Sequence, residues 1–98
     1  MKLIRDKLDQ VISQDRLTIV EGDEFDDYLK QKLTEEIQEL IDSDYKDLSE
    51  YADVIEVLHA MVARFTDKTM SDVENVRQTK SDERGGFYRG LVFNPNVL

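Results

Sequence analysis

Apolar residues recur at helical spacing over most of the chain. Phe25, Tyr28, Leu29, Leu33, Ile37, Leu40 and Ile41 share one stripe and predict a helix from about Glu24 to Ile41, with Asp23 as its N-cap. Asp42-Ser43-Asp44 interrupts the pattern and offers a fresh N-cap. A third helix is predicted from about Tyr45 to Phe65, with Tyr51, Val54, Ile55, Leu58, Met61, Val62 and Phe65 on its stripe. Ala52, Val57, Ala60 and Ala63 extend that apolar surface almost all round, as expected of a central helix. A short first helix over Asp6 to Ser13 follows from Leu8, Val11 and Ile12, and Leu17-Thr18-Ile19-Val20 reads as extended before a turn at Glu21-Gly22-Asp23. A fourth helix, from Ser71 or Asp72 to about Glu83 with Ser71 as cap, turns Met70, Val73 and Val76 inward; Gly85-Gly86 end it, and Phe87 to Leu98 is irregular.

These elements predict one all-α domain over residues 1–98, a bundle around an antiparallel hairpin of the two long helices. A 98-residue chain buries only roughly 60 to 65% of its unfolded surface and has few helices to surround a central one. A second copy is therefore expected to complete the bundle as a homodimer or higher assembly.

Charge changes this picture by its position. The net charge is -9, with 22 Asp plus Glu against 13 Lys plus Arg. Between Glu21 and Glu56 stand 14 acids and 3 bases, a net of -11, and everything else sums to +2. That balance disfavours nucleic acid as a partner, since phosphate contacts need clustered Lys and Arg. The most apolar segment, Val54 to Ala63, is too short for a membrane span and contains Glu56 and His59. Without cysteine there are no disulfides, thiolate metal sites or cysteine nucleophiles, which suits a reducing compartment; the expected location is cytoplasmic.

Two acidic groups carry the candidate chemistry: Glu35-Glu36-Ile37-Gln38-Glu39 on one long helix and Glu50-Tyr51-Ala52-Asp53 on the next. At 100° per residue, Glu36 and Glu39 lie about 60° and 120° from Leu33, and Glu50 and Asp53 about 80° and 140° from Leu58, so each pair borders a stripe. Across a hairpin these borders face one cleft. Two such charges ~5 Å apart repel by about 3 kcal/mol at an effective dielectric near 20, a difficulty that a hard divalent cation removes. All-oxygen ligation points to Mg²⁺ or Mn²⁺ rather than zinc, and so many acids suggest more than one ion bridging a polyphosphate. The alternative is a pair of solvated helix edges balanced by lysines.

The ordered pair EExxE and ExxD resembles the all-α nucleoside triphosphate pyrophosphohydrolases, the MazG-like and phosphoribosyl-ATP pyrophosphohydrolase-like group. The opening Arg5-Asp6-Lys7-Leu8 and the closing Lys80-Ser81-Asp82-Glu83-Arg84-Gly85-Gly86-Phe87 are similar to those of a small branch of that group, as are Lys32-Leu33 and Ala52-Asp53-Val54. Asp9 stands where the branch commonly has proline. The resemblance implies Mg²⁺-dependent hydrolysis of the α-β phosphoanhydride of a nucleoside triphosphate to monophosphate and pyrophosphate. It makes Glu36, Glu39, Glu50 and Asp53 metal ligands, and Glu35 a further ligand or the residue that deprotonates water. Lys32 then meets a phosphate oxygen or balances Glu36. Arg5, Lys7, Lys80 and Arg84 are candidate phosphate contacts, with salt bridges to the acidic middle as the alternative.

Two other functions fit the same residues: phosphoribosyl-ATP pyrophosphohydrolase, and a non-catalytic helical module that binds divalent ions or a partner protein. His59 is read as a packed or interface imidazole, and Tyr51 as a core residue, with Tyr28 and Tyr45 available to stack on a base.

Overall fold

The computed structural model describes residues 1–97. Three α-helices carry the fold, α1 (Gly22–Asp42), α2 (Leu48–Phe65) and α3 (Met70–Arg84), and no strand occurs among the described residues. The all-helical class thus agrees with the periodicity.

The local differences have local causes. The predicted first helix is a 3₁₀ turn over Asp6–Gln10, followed by a second over Gln14–Arg16, and neither contains a buried residue. Val11 is 78% exposed, so its apolar spacing meets no core, and a short helix without burial does not outweigh its nucleation cost. The cap of α1 is Glu21, with no side-chain hydrogen bond, rather than Asp23.

α2 starts three residues later than predicted because Asp44 and Tyr45 both take positive φ, 57° and 61°. Their amides donate to the Ile41 and Leu40 carbonyls and close off α1. The Tyr51 hydroxyl donates to the Tyr45 carbonyl at 3.0 Å and pins this corner. Asp47 then caps α2, accepting from the Ser49 amide at 2.9 Å.

Thr69, not Ser71, caps α3, through a reciprocal box in which Asp72 Oδ2 accepts from the Thr69 amide at 2.8 Å and Thr69 Oγ1 accepts from the Asp72 amide at 3.3 Å. Gly85 ends α3 at φ 80°, its amide donating to the Ser81 carbonyl. Nothing regular follows among the described residues, as the tail's composition predicts.

α1 and α2 pack along each other. Near the C-terminal end of α2, Arg64 donates to Asp26 Oδ1 at 2.7 Å and to the Gly22 carbonyl, and its guanidinium lies 5.2 Å from the Phe25 ring centre. Lys30 sits over Phe65 in the same region. The core between the helices is small, with Leu29 and Val57 its buried apolar residues.

That core corrects the predicted stripe of α2. The face turned to α1 centres on Val57, with Val54 and Met61 half-buried, whereas Tyr51, Ile55 and Phe65 are 44%, 51% and 43% exposed and Leu58 stands at the exposed margin. Tyr51 is therefore not a core residue of this chain, and His59 is exposed rather than packed. On α3, Val73 and Val76 are also largely exposed; they line an open groove with Val62 and Thr66.

The chain is correspondingly extended. It measures 62 × 33 × 25 Å with a radius of gyration of 17.6 Å, against about 13 Å for a compact chain of this length. Its accessible surface is 8689 Å², against about 5,800 Å² for a compact monomer of this mass.

Candidate functional site

The carboxylates sit deeper than the helical wheel placed them. Glu36 follows Leu29, the most buried residue, by two helical turns, and so stands in the line of the core rather than at its border. On α2, Glu50 precedes Val57 by the same two turns, and Asp53 lies one turn before Val57 on the same face. The helix contact itself therefore carries acids. Glu36 is only 6% exposed, and Glu50 and Asp53 are half-buried.

One ligating oxygen from each of Glu36, Glu39, Glu50 and Asp53 lies within 4.8 Å of all the others. Glu36 Oε2 and Glu50 Oε2 are buried without a hydrogen-bond partner. An orphaned carboxylate oxygen in a protein interior is costly unless a cation meets it. The donors are all hard oxygens at i, i+3 spacing on two rigid helices, a set that can hold Mg²⁺ or Mn²⁺.

Lys32 supplies partial compensation, its Nζ 3.0 Å from Glu36 Oε1 and 3.5 Å from Glu35 Oε2. Burial works against its ammonium, but the hydrogen bond and charge of Glu36, helped by Glu35, outweigh it and raise the lysine above its ordinary value. Among the described residues, Glu39 has no such cation. Its hydrogen bond to Glu36, then desolvation, then the charges of Glu36 and Glu50 push its carboxyl up to about 7. Its acidic neighbours thus work against ionisation of Glu39, as expected of clustered acids.

The remaining sequence candidates separate into two groups. Arg5 and Lys7 line a cleft of about 490 Å³ beside the quartet, together with Lys32, Glu36 and Asp53, and Arg5 Nη2 donates to Asp53 Oδ1 at 2.6 Å. Glu35 is outside the quartet, paired with Lys32 and with Lys2, whose Nζ lies 3.4 Å from Glu35 Oε1. Lys80 and Arg84 are on α3, outside this cleft; Lys80 lines the groove shared with Val62 and Val76. Lys2 is a further charged contact of the site, one that no motif in the sequence marks. The apolar lining of the cleft, Leu3, Ile4, Phe25, Leu29, Val57 and Ala60, is equally unmarked, because nothing in the periodicity folds the N-terminal segment onto the two helices.

No protein-family profile matches the chain, and no curated protein or solved structure is significantly similar to it. Among the described residues, no helix is long and apolar enough to cross a membrane.

Proposed function

We propose that the chain is a Mg²⁺-dependent nucleotide pyrophosphohydrolase that cleaves the α-β phosphoanhydride of a nucleoside triphosphate to a monophosphate and pyrophosphate. The observation that carries the metal part of this reading is the quartet Glu36, Glu39, Glu50 and Asp53, with two buried oxygens lacking any partner. The nucleotide part is supported by the ordered motifs around it, EExxE, ExxD, Arg5-Asp6-Lys7 and Lys80 to Phe87.

In this reading the quartet holds Mg²⁺, or Mn²⁺ in its place. The metal supplies a water of lowered pKa and neutralises phosphate charge. Glu35, at the rim and already in a cationic setting between Lys2 and Lys32, accepts the proton of the attacking water. Lys32, Arg5 and Lys7 present donors to phosphate oxygens within one cleft. The apolar lining formed by Phe25, Leu29, Val57 and Ala60 excludes water from the same space. Lys80 and Arg84 have no role in that cleft within one chain.

The two long helices form an antiparallel hairpin in this reading, and a second copy covers Tyr51, Ile55, Leu58 and Phe65. The accessible surface exceeds that of a compact monomer by about 2,900 Å², and an obligate dimer interface, which removes about 1,000 Å² or more per partner, would account for part of that excess.

The test is purified protein with Mg²⁺ and a panel of canonical and modified NTPs and dNTPs. Monophosphate and pyrophosphate are the expected products, and Glu36→Gln and Asp53→Asn should each lower the rate by at least about 100-fold. Diphosphate with orthophosphate would overturn the reaction. Mg²⁺ binding without turnover of any nucleotide would favour the non-catalytic module, and preferential turnover of phosphoribosyl-ATP would favour a phosphoribosyl-ATP pyrophosphohydrolase.

A further inference from the structure

The N-terminal segment lies across both helices of the site. Leu3 and Ile4 are half-buried in the cleft lining, Lys2 reaches Glu35 on α1 and Arg5 reaches Asp53 on α2. Among the described residues, no backbone hydrogen bond ties residues 1–4 to a helix; the internal bonds begin with the Leu8 amide on the Arg5 carbonyl. The segment is therefore held by two apolar side chains and two ion pairs, and one of those pairs ends on a member of the quartet.

Arg5 and Lys32 are the two cations that touch the quartet among the described residues, and they differ in kind. Lys32 is anchored on α1, one turn from Glu36, with a side chain only 16% exposed. Arg5 is on a strap and 57% exposed, free to leave when something better neutralises Asp53.

We infer that Arg5 is a displaceable counter-cation of the metal site: it occupies Asp53 when no metal is bound, and a divalent ion at the quartet drives it off, loosening the N-terminal strap. This rests on the reading of the quartet as a metal site. The physical cause is twofold. A divalent cation within ligating distance of Asp53 satisfies the carboxylate that holds Arg5, and its charge repels the guanidinium. The released guanidinium remains tethered at the mouth of a cleft that already presents Lys7 and Lys32, where its fork suits a phosphate oxygen pair. Arg5 thus changes partners from carboxylate to substrate phosphate, and metal and polyphosphate favour each other's binding through it.

The experiment is a Mn²⁺ titration, without nucleotide and near 0.15 M salt, of the wild type, Arg5→Ala and Lys2→Ala, followed by the electron paramagnetic resonance of free Mn²⁺. At that ionic strength exposed charges more than about 8 Å away are largely screened. Arg5→Ala should bind Mn²⁺ about 2- to 5-fold more tightly than wild type, the range for release of an exposed ion pair. Lys2→Ala removes the same charge from the same strap, but its partner is outside the quartet, and its affinity should be unchanged. Hydrogen exchange of the Leu8, Val11 and Ile12 amides, which are hydrogen-bonded within the N-terminal segment, should quicken in the wild type on adding Mn²⁺. On a nucleotide that turns over, Arg5→Ala should raise KM about 10-fold while its Mn²⁺ affinity improves, opposite changes that Lys2→Ala, which loosens the same strap, should not show.

Equal Mn²⁺ affinity in all three proteins would overturn the exchange and leave the metal site standing, and so would an equal gain in Lys2→Ala or an N-terminus that exchanges more slowly with Mn²⁺. No Mn²⁺ binding by any of them would overturn both.

Discussion

Replacing Glu39 by glutamine should stabilise the metal-free protein at alkaline pH and leave it unchanged in acid. Glu39 has no cation partner among the described residues, and Glu36 and Glu50 push its carboxyl up to about 7. A carboxyl whose pKa is raised on folding binds its proton more tightly in the folded state. Its fold is therefore unpenalised below the unfolded value of 4.5 and loses stability as pH rises through about 7. Taken at face value the shift is worth about 3 kcal/mol once both states are ionised. Solvent screening of this half-buried carboxyl reduces that to about 1 kcal/mol. For a domain of this size, about 1 kcal/mol corresponds to a Tm gain of roughly 4 to 8 °C. The assay is thermal unfolding in EDTA, at one protein concentration, of wild type and Glu39→Gln at pH 4, below the unfolded value of 4.5, and at pH 8. The variant should match wild type at pH 4 and melt several degrees higher at pH 8. An equal gain at both pH values would show that the effect is not electrostatic, and no gain at pH 8 would refute the claim that the quartet repels itself.

The other predictions concern metal, assembly and capping. Mn²⁺ or Mg²⁺ binding should release protons and weaken as pH falls through about 7, because Glu39 must give up its proton to ligate; calorimetry in buffers of different ionisation enthalpy measures this. Ile55→Asp, on the exposed face of α2, should shift a dimeric wild type towards monomer in light scattering with the α1–α2 contact intact, and a monomeric wild type would refute the second-copy reading. Thr69→Ala removes the side-chain half of the capping box of α3 and should cost about 1 kcal/mol, read as a lowered midpoint in urea.

How far the chain was legible varied by element. The two long helices and the glycine stop at Gly85 follow from periodicity and turn chemistry, which act over a few residues. The shift in the start of α2 depended on Asp44 and Tyr45 both adopting positive φ, a conformation that tyrosine gives no reason to expect. The wheel placed the acids beside the stripe because it weighed apolar residues alone. With Val57 facing α1 and Ile55 facing outward, the contact centre moves onto Glu36, Glu50 and Asp53.

By itself, then, the sequence determined the all-helical class, the chemistry of four carboxylates at i, i+3 spacing, and the concentration of negative charge in the middle of the chain. Those depend on residue type and local geometry. Only the tertiary structure decided which half of the apolar surface of α2 meets α1, that two carboxylate oxygens are buried without partners, and that the N-terminal strap lays Arg5 on Asp53. The residues involved are up to 48 positions apart, and their approach depends on how two helices rotate about their axes, a quantity that local periodicity does not contain.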